Sequence, residues 1–167
     1  MFRFNFLPDP CQEGPSFADG RWRKDRTADP YGGLIFDSKG NLFGTGEEVY
    51  GQVFELSPWN GGWIFQLLIS LPGRLVELGG PEASLIMDPA GNLYDTTYAG
   101  GNDYAAGTVF ELAAPMWTQY ILLHEFTGGA DGSQPIGNVV RDADGNLYGT
   151  TASGGIYGNG VIFEITP

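Results

Sequence analysis

Three carboxylates have the residue types that acid–base chemistry requires. Glu47 and Glu48 are neighbours, and Asp103 lies further along the chain, each in a segment rich in glycine. A glycosidase needs two such groups at a set separation, one as acid and one as base or nucleophile. The formal net charge is −12, and loop carboxylates of so acidic a protein are usually only solvated. We therefore expect a non-enzymatic protein, with a polysaccharide-active hydrolase or lyase as the alternative.

His124 is the only histidine in the chain. A nucleophilic triad needs a nucleophile and a third partner around it, and a zinc site usually takes several His or Cys ligands. His124 alternates with apolar residues as in a strand, so we expect a packed or edge histidine. The sequence predicts no metal site and no cofactor.

Tyrosines beside amides and carboxylates form a second candidate site. Tyrosine rings stack on the apolar faces of sugars, and the polar groups bond to sugar hydroxyls. The alternative is that these residues merely finish loops. The pattern predicts a glycan-binding surface made of Tyr50, Tyr98, Asn102, Asp103, Tyr104, Tyr157 and Asn159.

These residues fall in equivalent loops of a threefold internal repeat. The segments Asp37–Phe43, Asp88–Tyr94 and Asp142–Tyr148 share the pattern D-x-x-G-N-L-[FY] and begin 51 and then 54 residues apart. Each copy also has a proline before a short apolar run, and a later G-x-[VI]-F-E-[LI]. A period near 50 residues is typical of a repeat architecture.

Each copy predicts a sheet of four short strands, a to d. The runs are β-branched or aromatic and are bounded by Gly, Pro, Asn or Asp. The D-x-x-G-N segment predicts an a–b hairpin in which aspartate caps the turn amides. Asp142-Ala-Asp144 resembles the start of a calcium loop, but Lys39 and Ala90 replace Asp144 in the other copies, and no later bidentate acid follows. We interpret the segment as a turn.

Strand c carries a glutamate in every copy, at Glu55, Glu111 and Glu164. Charged residues are rarely buried without a partner. Because the glutamate recurs, we expect a structural role, with each carboxylate accepting hydrogen bonds from the neighbouring repeat.

The third copy lacks strand d, whereas the chain begins with an unmatched strand pattern at Phe2, Phe4 and Phe6. We predict that this N-terminal strand completes the last repeat and removes an exposed sheet edge. The expected fold is all-β with β-propeller-like blades. Three blades are too few for an ordinary closed propeller, so we expect two chains to form a six-bladed dimer. A piece of a longer array and a β-trefoil are the alternatives.

The chain is expected to be a single repeat domain over 1–167. Its parts are a closing strand (1–7), a non-repeat insertion (8–30), repeat 1 (31–80), repeat 2 (81–134) and repeat 3 (135–167), which lacks its last strand. In a propeller the b–c loops and d–a connections share one face, so we place the candidate sites there.

Charge and hydropathy limit the partners. A nucleic-acid-binding domain is expected to carry a basic face, and the net charge of −12 argues against that class and against anionic membranes. No apolar stretch approaches the roughly 20 residues that span a bilayer. Four of the eight basic residues lie together, and we predict that this basic island docks onto the acidic surface of another copy; a solvated loop is the alternative. The island comprises Arg21, Trp22, Arg23, Lys24 and Arg26.

The sequence GNLYGTT at residues 145–151, the following Gly154-Gly155, and the G-x-V-F-E-L segments resemble the GloVer tandem repeat. The segment 123–132 is similar to that family's repeat boundary. The resemblance covers roughly residues 31–167 and implies propeller-like repeats and an extracellular or cell-surface location in bacteria; it implies no general activity. The first copy departs from the pattern at residues 44–50, and no signal peptide is visible at the N-terminus.

Overall fold

The computed structural model describes residues 29–30, 32–47, 51–71, 80–101 and 105–166, with residues 29 and 47 described by their backbone alone. All regular structure in these stretches is β-strand, and they contain no helix that could cross a membrane. Sheet 1 holds β1 (Asp29–Pro30), β2 (Ile35–Phe36), β3 (Leu42–Glu47), β4 (Gln52–Trp59) and β5 (Gly62–Ser70). Sheet 2 holds β6 (Ile86–Met87), β7 (Leu93–Thr97), β8 (Thr108–Leu112) and β9 (Tyr120–Glu125), and sheet 3 holds β10 (Val140–Arg141), β11 (Leu147–Thr150) and β12 (Ile162–Ile165).

Each repeat forms an antiparallel meander of its own. The strand orders are β2-β3-β4-β5, β6-β7-β8-β9 and β10-β11-β12, while β1 pairs with the far end of β3. The described strands pair only within their own sheet and form no closed barrel. The all-β prediction and the strand series a to d are confirmed for the first two repeats, and the third sheet shows strands a to c. The predicted closing strand with Phe2, Phe4 and Phe6 lies outside the described residues.

The a–b hairpins are built by the aspartate of the D-x-x-G-N segment. In the second copy, Asp88 Oδ1 accepts hydrogen bonds from the backbone amides of Ala90 and Asn92, at 2.8 and 2.9 Å. Asp88 Oδ2 accepts a further bond from Asn92 Nδ2 at 3.1 Å, and Gly91 takes a φ of 92°. The first and third copies repeat these contacts. The interpretation of the segment as a capped turn is therefore confirmed.

The glycine that begins the G-x-[VI]-F-E segment lets one repeat approach the next. Gly107 has a φ of 96°, and a Cβ there would lie 2.4 Å from Thr97 O and 2.6 Å from Cδ of Pro135 in the following repeat. One repeat earlier, a Cβ at Gly51 would lie 2.5 Å from Cδ of Pro81, which is the same close approach. The recurring proline and glycine therefore form one contact between repeats.

Sheets 1 and 2 pack face to face through a shared apolar core. Phe43 and Val53 of sheet 1 belong to the same buried cluster as Leu85, Leu93 and Phe110 of sheet 2. Burying one such side chain fully contributes about 1.5–3 kcal/mol. This core is what holds the two repeats together.

Sheets 2 and 3 repeat that arrangement. Tyr94 and Val109 of sheet 2 share a second buried cluster with Val139 and Leu147 of sheet 3. With a neighbour on each face, every residue of β7 is buried. The middle sheet thus packs on sheet 1 through one face and on sheet 3 through the other.

The residues just before strand a of each repeat are joined by hydrogen bonds that all run in the same direction along the chain. Gly33 N donates to Ser84 Oγ at 2.7 Å, and Ser84 N donates to Asn138 Oδ1 at 2.9 Å. These three residues occupy the same position in the three repeats. Each repeat therefore offers its amide to the side chain of the next repeat.

Candidate functional site

The b–c loops and the d–a connections meet at one end of the sheets, as expected. Tyr98 N, at the start of the second b–c loop, donates to Gly80 O in the preceding d–a connection at 3.1 Å. In the next unit Ser133 and Ser153 form an antiparallel bridge with amide–carbonyl distances of 2.8 and 3.1 Å. We call this region the loop end; it comprises residues 80–81, 98–101, 105–107, 126–135 and 151–161.

Gln134 ties the loop end together. Its backbone amide donates to Ala106 O at 2.8 Å, and its carbonyl accepts from Ala152 N at 3.0 Å. Its side chain donates through Nε2 to Tyr98 OH at 2.7 Å and accepts from Ser153 Oγ at 2.9 Å. Gln134 adopts a φ of 58°, in the left-handed region. One residue thus links the b–c loops of the second and third repeats.

The predicted ligand-binding residues have different surroundings at this end. Tyr98 is half-buried and its hydroxyl accepts the Gln134 bond, so it belongs to the internal network. Tyr157 and Asn159 are exposed on the third b–c loop and face solvent. The other members of the predicted set lie outside the described residues: Tyr50, Asn102, Asp103 and Tyr104.

The predicted acid–base residues are not brought together by the described structure. Glu47 ends β3, where its backbone is opposite that of Asp29, and Glu48 and Asp103 lie outside the described residues. In the described stretches, no group of three or more His, Cys, Asp or Glu side chains could hold a metal ion. The basic island at residues 21–26 also lies outside them.

A family comparison agrees with these repeated sheets. The model of the Gloeobacter/Verrucomicrobia repeat matches residues 17–167. The chain belongs to this family. The match begins within the segment 8–30, and it also includes the two residues of β1, which pair at the end of β3. No curated protein matches the chain.

One position of this GloVer protein departs from its own repeat. Asp95 stands where the other copies have Gly44 and Gly149, and it is fully buried in β7. Its Oδ1 accepts from Thr96 N at 2.8 Å, while Oδ2 has no hydrogen-bond partner among the described residues. Burial raises the pKa of Asp95 to about 8, against which the Thr96 amide acts in the opposite direction. The sequence analysis missed this residue, although the alignment of the copies shows the substitution.

The recurring glutamates of strand c accept hydrogen bonds within their own sheets, so the prediction of donors from the neighbouring repeat was wrong. Ser57 Oγ donates to Glu55 Oε1 at 3.1 Å, and Tyr148 OH donates to Glu164 Oε1 at 3.2 Å. Tyr148 and Glu164 are direct cross-strand partners. In an antiparallel pair such side chains lie close together, which puts a donor within reach without help from another sheet.

The second copy adds a contribution from the next sheet. Burial raises the pKa of Glu111, and the nearby Asp88 carboxylate adds to this effect. A bond from Tyr94 and the positive charge of Arg141 act in the opposite direction. Arg141 belongs to sheet 3, so the neighbouring repeat contributes to Glu111 through charge.

His124 has the edge position that its strand context predicted. Its ring meets Phe126 edge to face, with 4.7 Å between centroids, and His124 Nε2 lies 3.4 Å from Asp131 Oδ2. Asp131 also accepts from Thr127 N and Thr127 Oγ1. Burial would raise the pKa of Asp131, but the Thr127 bonds outweigh it and hold that pKa below its usual value. The histidine–aspartate pair therefore anchors the d–a connection.

Proposed function

We propose that this GloVer protein is a non-enzymatic scaffold of the bacterial exterior, built as half of a six-bladed β-propeller that two copies complete. The observation that carries the proposal is the packing of the middle sheet. One of its faces packs on sheet 1 and the other on sheet 3, and the two interfaces pair equivalent faces of consecutive repeats. A unit that repeats one contact in one direction is suited to closing into a ring. Each repeat keeps its own sheet, which favours a propeller over the shared barrel of a trefoil.

Mass in solution tests this proposal. Two paired chains have a mass of about 36 kDa, which is twice the 18.0 kDa of one chain. Light scattering that gives 36 kDa supports the closed pair, and 18.0 kDa for the whole population contradicts it. A large polymer would instead indicate a filament or coat subunit.

The basic island is the second proposed element of self-association. The segment that contains Arg21 and Arg23 carries half of the basic residues of an acidic chain. Exposed acidic residues such as Asp144 and Glu164 lie in the third repeat, where another copy could present them. Because exposed charges are screened by salt, raised salt should weaken an assembly that uses the island. An assembly indifferent both to salt and to the Arg21→Ala, Arg23→Ala double variant would contradict this role.

The loop end is the proposed ligand-binding face, and glycans are the proposed ligand. Tyr157 and Asn159 offer an exposed ring and amide on a loop held by the Ser133–Ser153 bridge and Gln134. Burial of a tyrosine against a sugar is worth about 1 kcal/mol or more, so Tyr157→Ala should weaken binding about fivefold or more. Trp59→Ala is the matched control, since Trp59 is an exposed aromatic residue beside the β4–β5 turn at the opposite end.

A glycan array combined with reducing-sugar release on the same panel separates binding from catalysis. Binding without turnover supports the scaffold, provided that Tyr157→Ala reduces it and Trp59→Ala does not. Turnover that disappears in Glu47→Gln or Asp103→Asn would establish the hydrolase or lyase alternative instead. Absence of any glycan bound would remove the ligand from the proposal and leave the scaffold.

A further inference from the structure

The two outer sheets each carry exposed apolar residues on one face, and these two faces are the two halves of a contact made twice inside the chain. We define the exit face of a sheet as the face that packs on the next repeat, and the entry face as the face that packs on the preceding one. Sheet 1 packs through its exit face on the entry face of sheet 2, and sheet 2 packs likewise on sheet 3.

The exit face is buried in sheets 1 and 2 and open in sheet 3. Val53, Val109 and Ile162 occupy the same position of strand c; the first two are 0% exposed and Ile162 is 84% exposed. Val140 of the same face is 62% exposed. Isolated apolar side chains at a surface are common, but these two stand where both other copies form the core.

The entry face shows the opposite trend along the chain. Leu34, Leu85 and Val139 occupy the same position before strand a; Leu34 is 52% exposed, whereas Leu85 is 1% and Val139 is 0% exposed. Phe36, next on this face, is 66% exposed. Phe54 in strand c of the same face is 2% exposed, so the exposed apolar part of the entry face of sheet 1 lies at strand a.

We propose, building on the self-association above, that the exit face of sheet 3 docks onto the entry face of sheet 1 of a second copy. The occupant follows from the interfaces inside the chain, because the residues that cover Val53 and Val109 come from the entry face of the next repeat. Among the described sheets, sheet 1 is the one with strongly exposed apolar residues on its entry face, at Leu34 and Phe36. The contact is heterologous, and two copies related by a twofold axis make it twice.

The hydrogen bonds that accompany the internal contacts predict that the junction between two copies is weaker than those contacts. Inside the chain, the amides of Gly33 and Ser84 reach the side chains of Ser84 and Asn138. The amide of Asn138 is next in this series, and in a second copy it meets Gly33, which has no side chain to accept the bond. The dimer should therefore dissociate on dilution into folded chains.

Complementary charge variants test the junction. Ile162→Asp and Leu34→Lys each place a charge on one open face, so each variant alone should elute at the mass of one chain under conditions where the unmodified chain is paired. An equal mixture restores one native junction and creates one with an aspartate opposite a lysine. The mixture should therefore recover the mass of two chains, which an isologous contact through a single face would not explain.

Two controls separate this inference from the broader proposal. Met116→Asp charges an exposed apolar residue in the turn between β8 and β9 of the middle sheet and should leave the pair intact, while circular dichroism confirms that all variants fold. Pairing that survives both Ile162→Asp and Leu34→Lys overturns the docking surface and leaves self-association standing. An unmodified chain that is single at every concentration overturns self-association itself.

A gain-of-function variant tests the register. Gly33→Ser supplies the acceptor that sheet 1 lacks, and the φ of Gly33 lies outside the left-handed region, so the backbone conformation suits a side chain. A Cβ there would lie 2.6 Å from Ser84 Oγ, so this hydroxyl, which accepts the Gly33 amide, has to shift. Thermal unfolding of the variant at a concentration where the chain is single measures that internal cost separately. The variant adds one hydrogen bond at each of the two junctions, so it should tighten the pair about 30-fold. An unchanged dissociation constant would overturn this register.

Discussion

Replacement of Asp95 by asparagine should stabilise the protein increasingly as pH rises toward neutrality. Asp95 is fully buried between sheets 1 and 2, and within the part of the chain that the structure describes its Oδ2 has no hydrogen-bond partner. A carboxylate in such a place is costly in its charged form. The folded chain therefore keeps the proton that an exposed aspartate would release.

The magnitude follows from the two pKa values. Burial raises the pKa of Asp95 in the folded chain to about 8, from an ordinary value of 3.8. Between these values the folded state binds one proton more than the unfolded state. The free energy of unfolding is then highest below the unfolded pKa and falls by about 1.4 kcal/mol per pH unit as pH rises, until the folded group ionises. From pH 5 to pH 7 this loss is about 2.7 kcal/mol.

Urea unfolding followed by tryptophan fluorescence at several pH values, at one protein concentration, measures this effect. The difference in unfolding free energy between Asp95→Asn and the unmodified chain should grow with pH, because all other titrating groups cancel. The unpaired amide of asparagine adds only an offset that does not vary with pH. Asp144→Asn, an exposed aspartate in the β10–β11 turn, is the control and should show no such slope. Parallel pH profiles for Asp95→Asn and the unmodified chain would refute the reasoning.

Three further substitutions test the turns, the repeat contact and the loop end. Asp88→Ala should lower the free energy of unfolding by about 1–2 kcal/mol at pH 7, measured in urea. Burial would raise the pKa of Asp88, but its hydrogen bonds outweigh burial and lower that pKa. The stabilisation by Asp88 is therefore present above the pKa of the unfolded chain and is lost in acid. Gly107→Ala should lower the free energy of unfolding by about 2 kcal/mol or more, measured by thermal unfolding. Gly40 has the same kind of φ but open space around it, so Gly40→Ala should lower it by only about 1 kcal/mol. Equal losses would contradict the close approach of the repeats. Gln134→Ala should cost about 1–3 kcal/mol by leaving the Tyr98 hydroxyl without its donor, and an unchanged melting temperature would show that the network is dispensable.

Local patterns gave correct predictions of the turns and strands. The hairpin at Asp88 closes through bonds to residues two and four positions later, so all the information for it lies within one short segment. The same holds for strand c, where alternation from Gly107 onward specifies which side chains face each side. The strand series of the first two repeats follows from such segments.

The partners of the strand c glutamates were predicted wrongly for a definable reason. Recurrence at Glu55, Glu111 and Glu164 showed that the residue serves the repeat, but it does not say which residue donates. That depends on the register between strands b and c, which sets Tyr148 opposite Glu164. The sequence shows both residues without showing that they face each other.

For the region of the candidate site, the sequence predicted only the end of the sheets at which the loops lie. Equivalent loops were correctly assigned to one end, because strands of a meander return to the same end at every second turn. The role of Gln134 was missed, since its four hydrogen bonds reach residues in two loops that are 18 to 36 positions away. The tyrosines looked alike in sequence, yet Tyr98 is bonded inward and Tyr157 is exposed.

The sequence by itself determined the repeat, its turns and its strands, because these depend on residues a few positions apart. It also identified family membership through motifs that mark those same turns. Only the tertiary structure decided which faces of the sheets are covered, that Asp95 is buried without a full set of partners, and that Leu34 and Ile162 lie on open halves of one repeated contact. Each of these depends on how residues about 50 positions apart pack against one another, and identical motifs have different surroundings in the first, middle and last sheets.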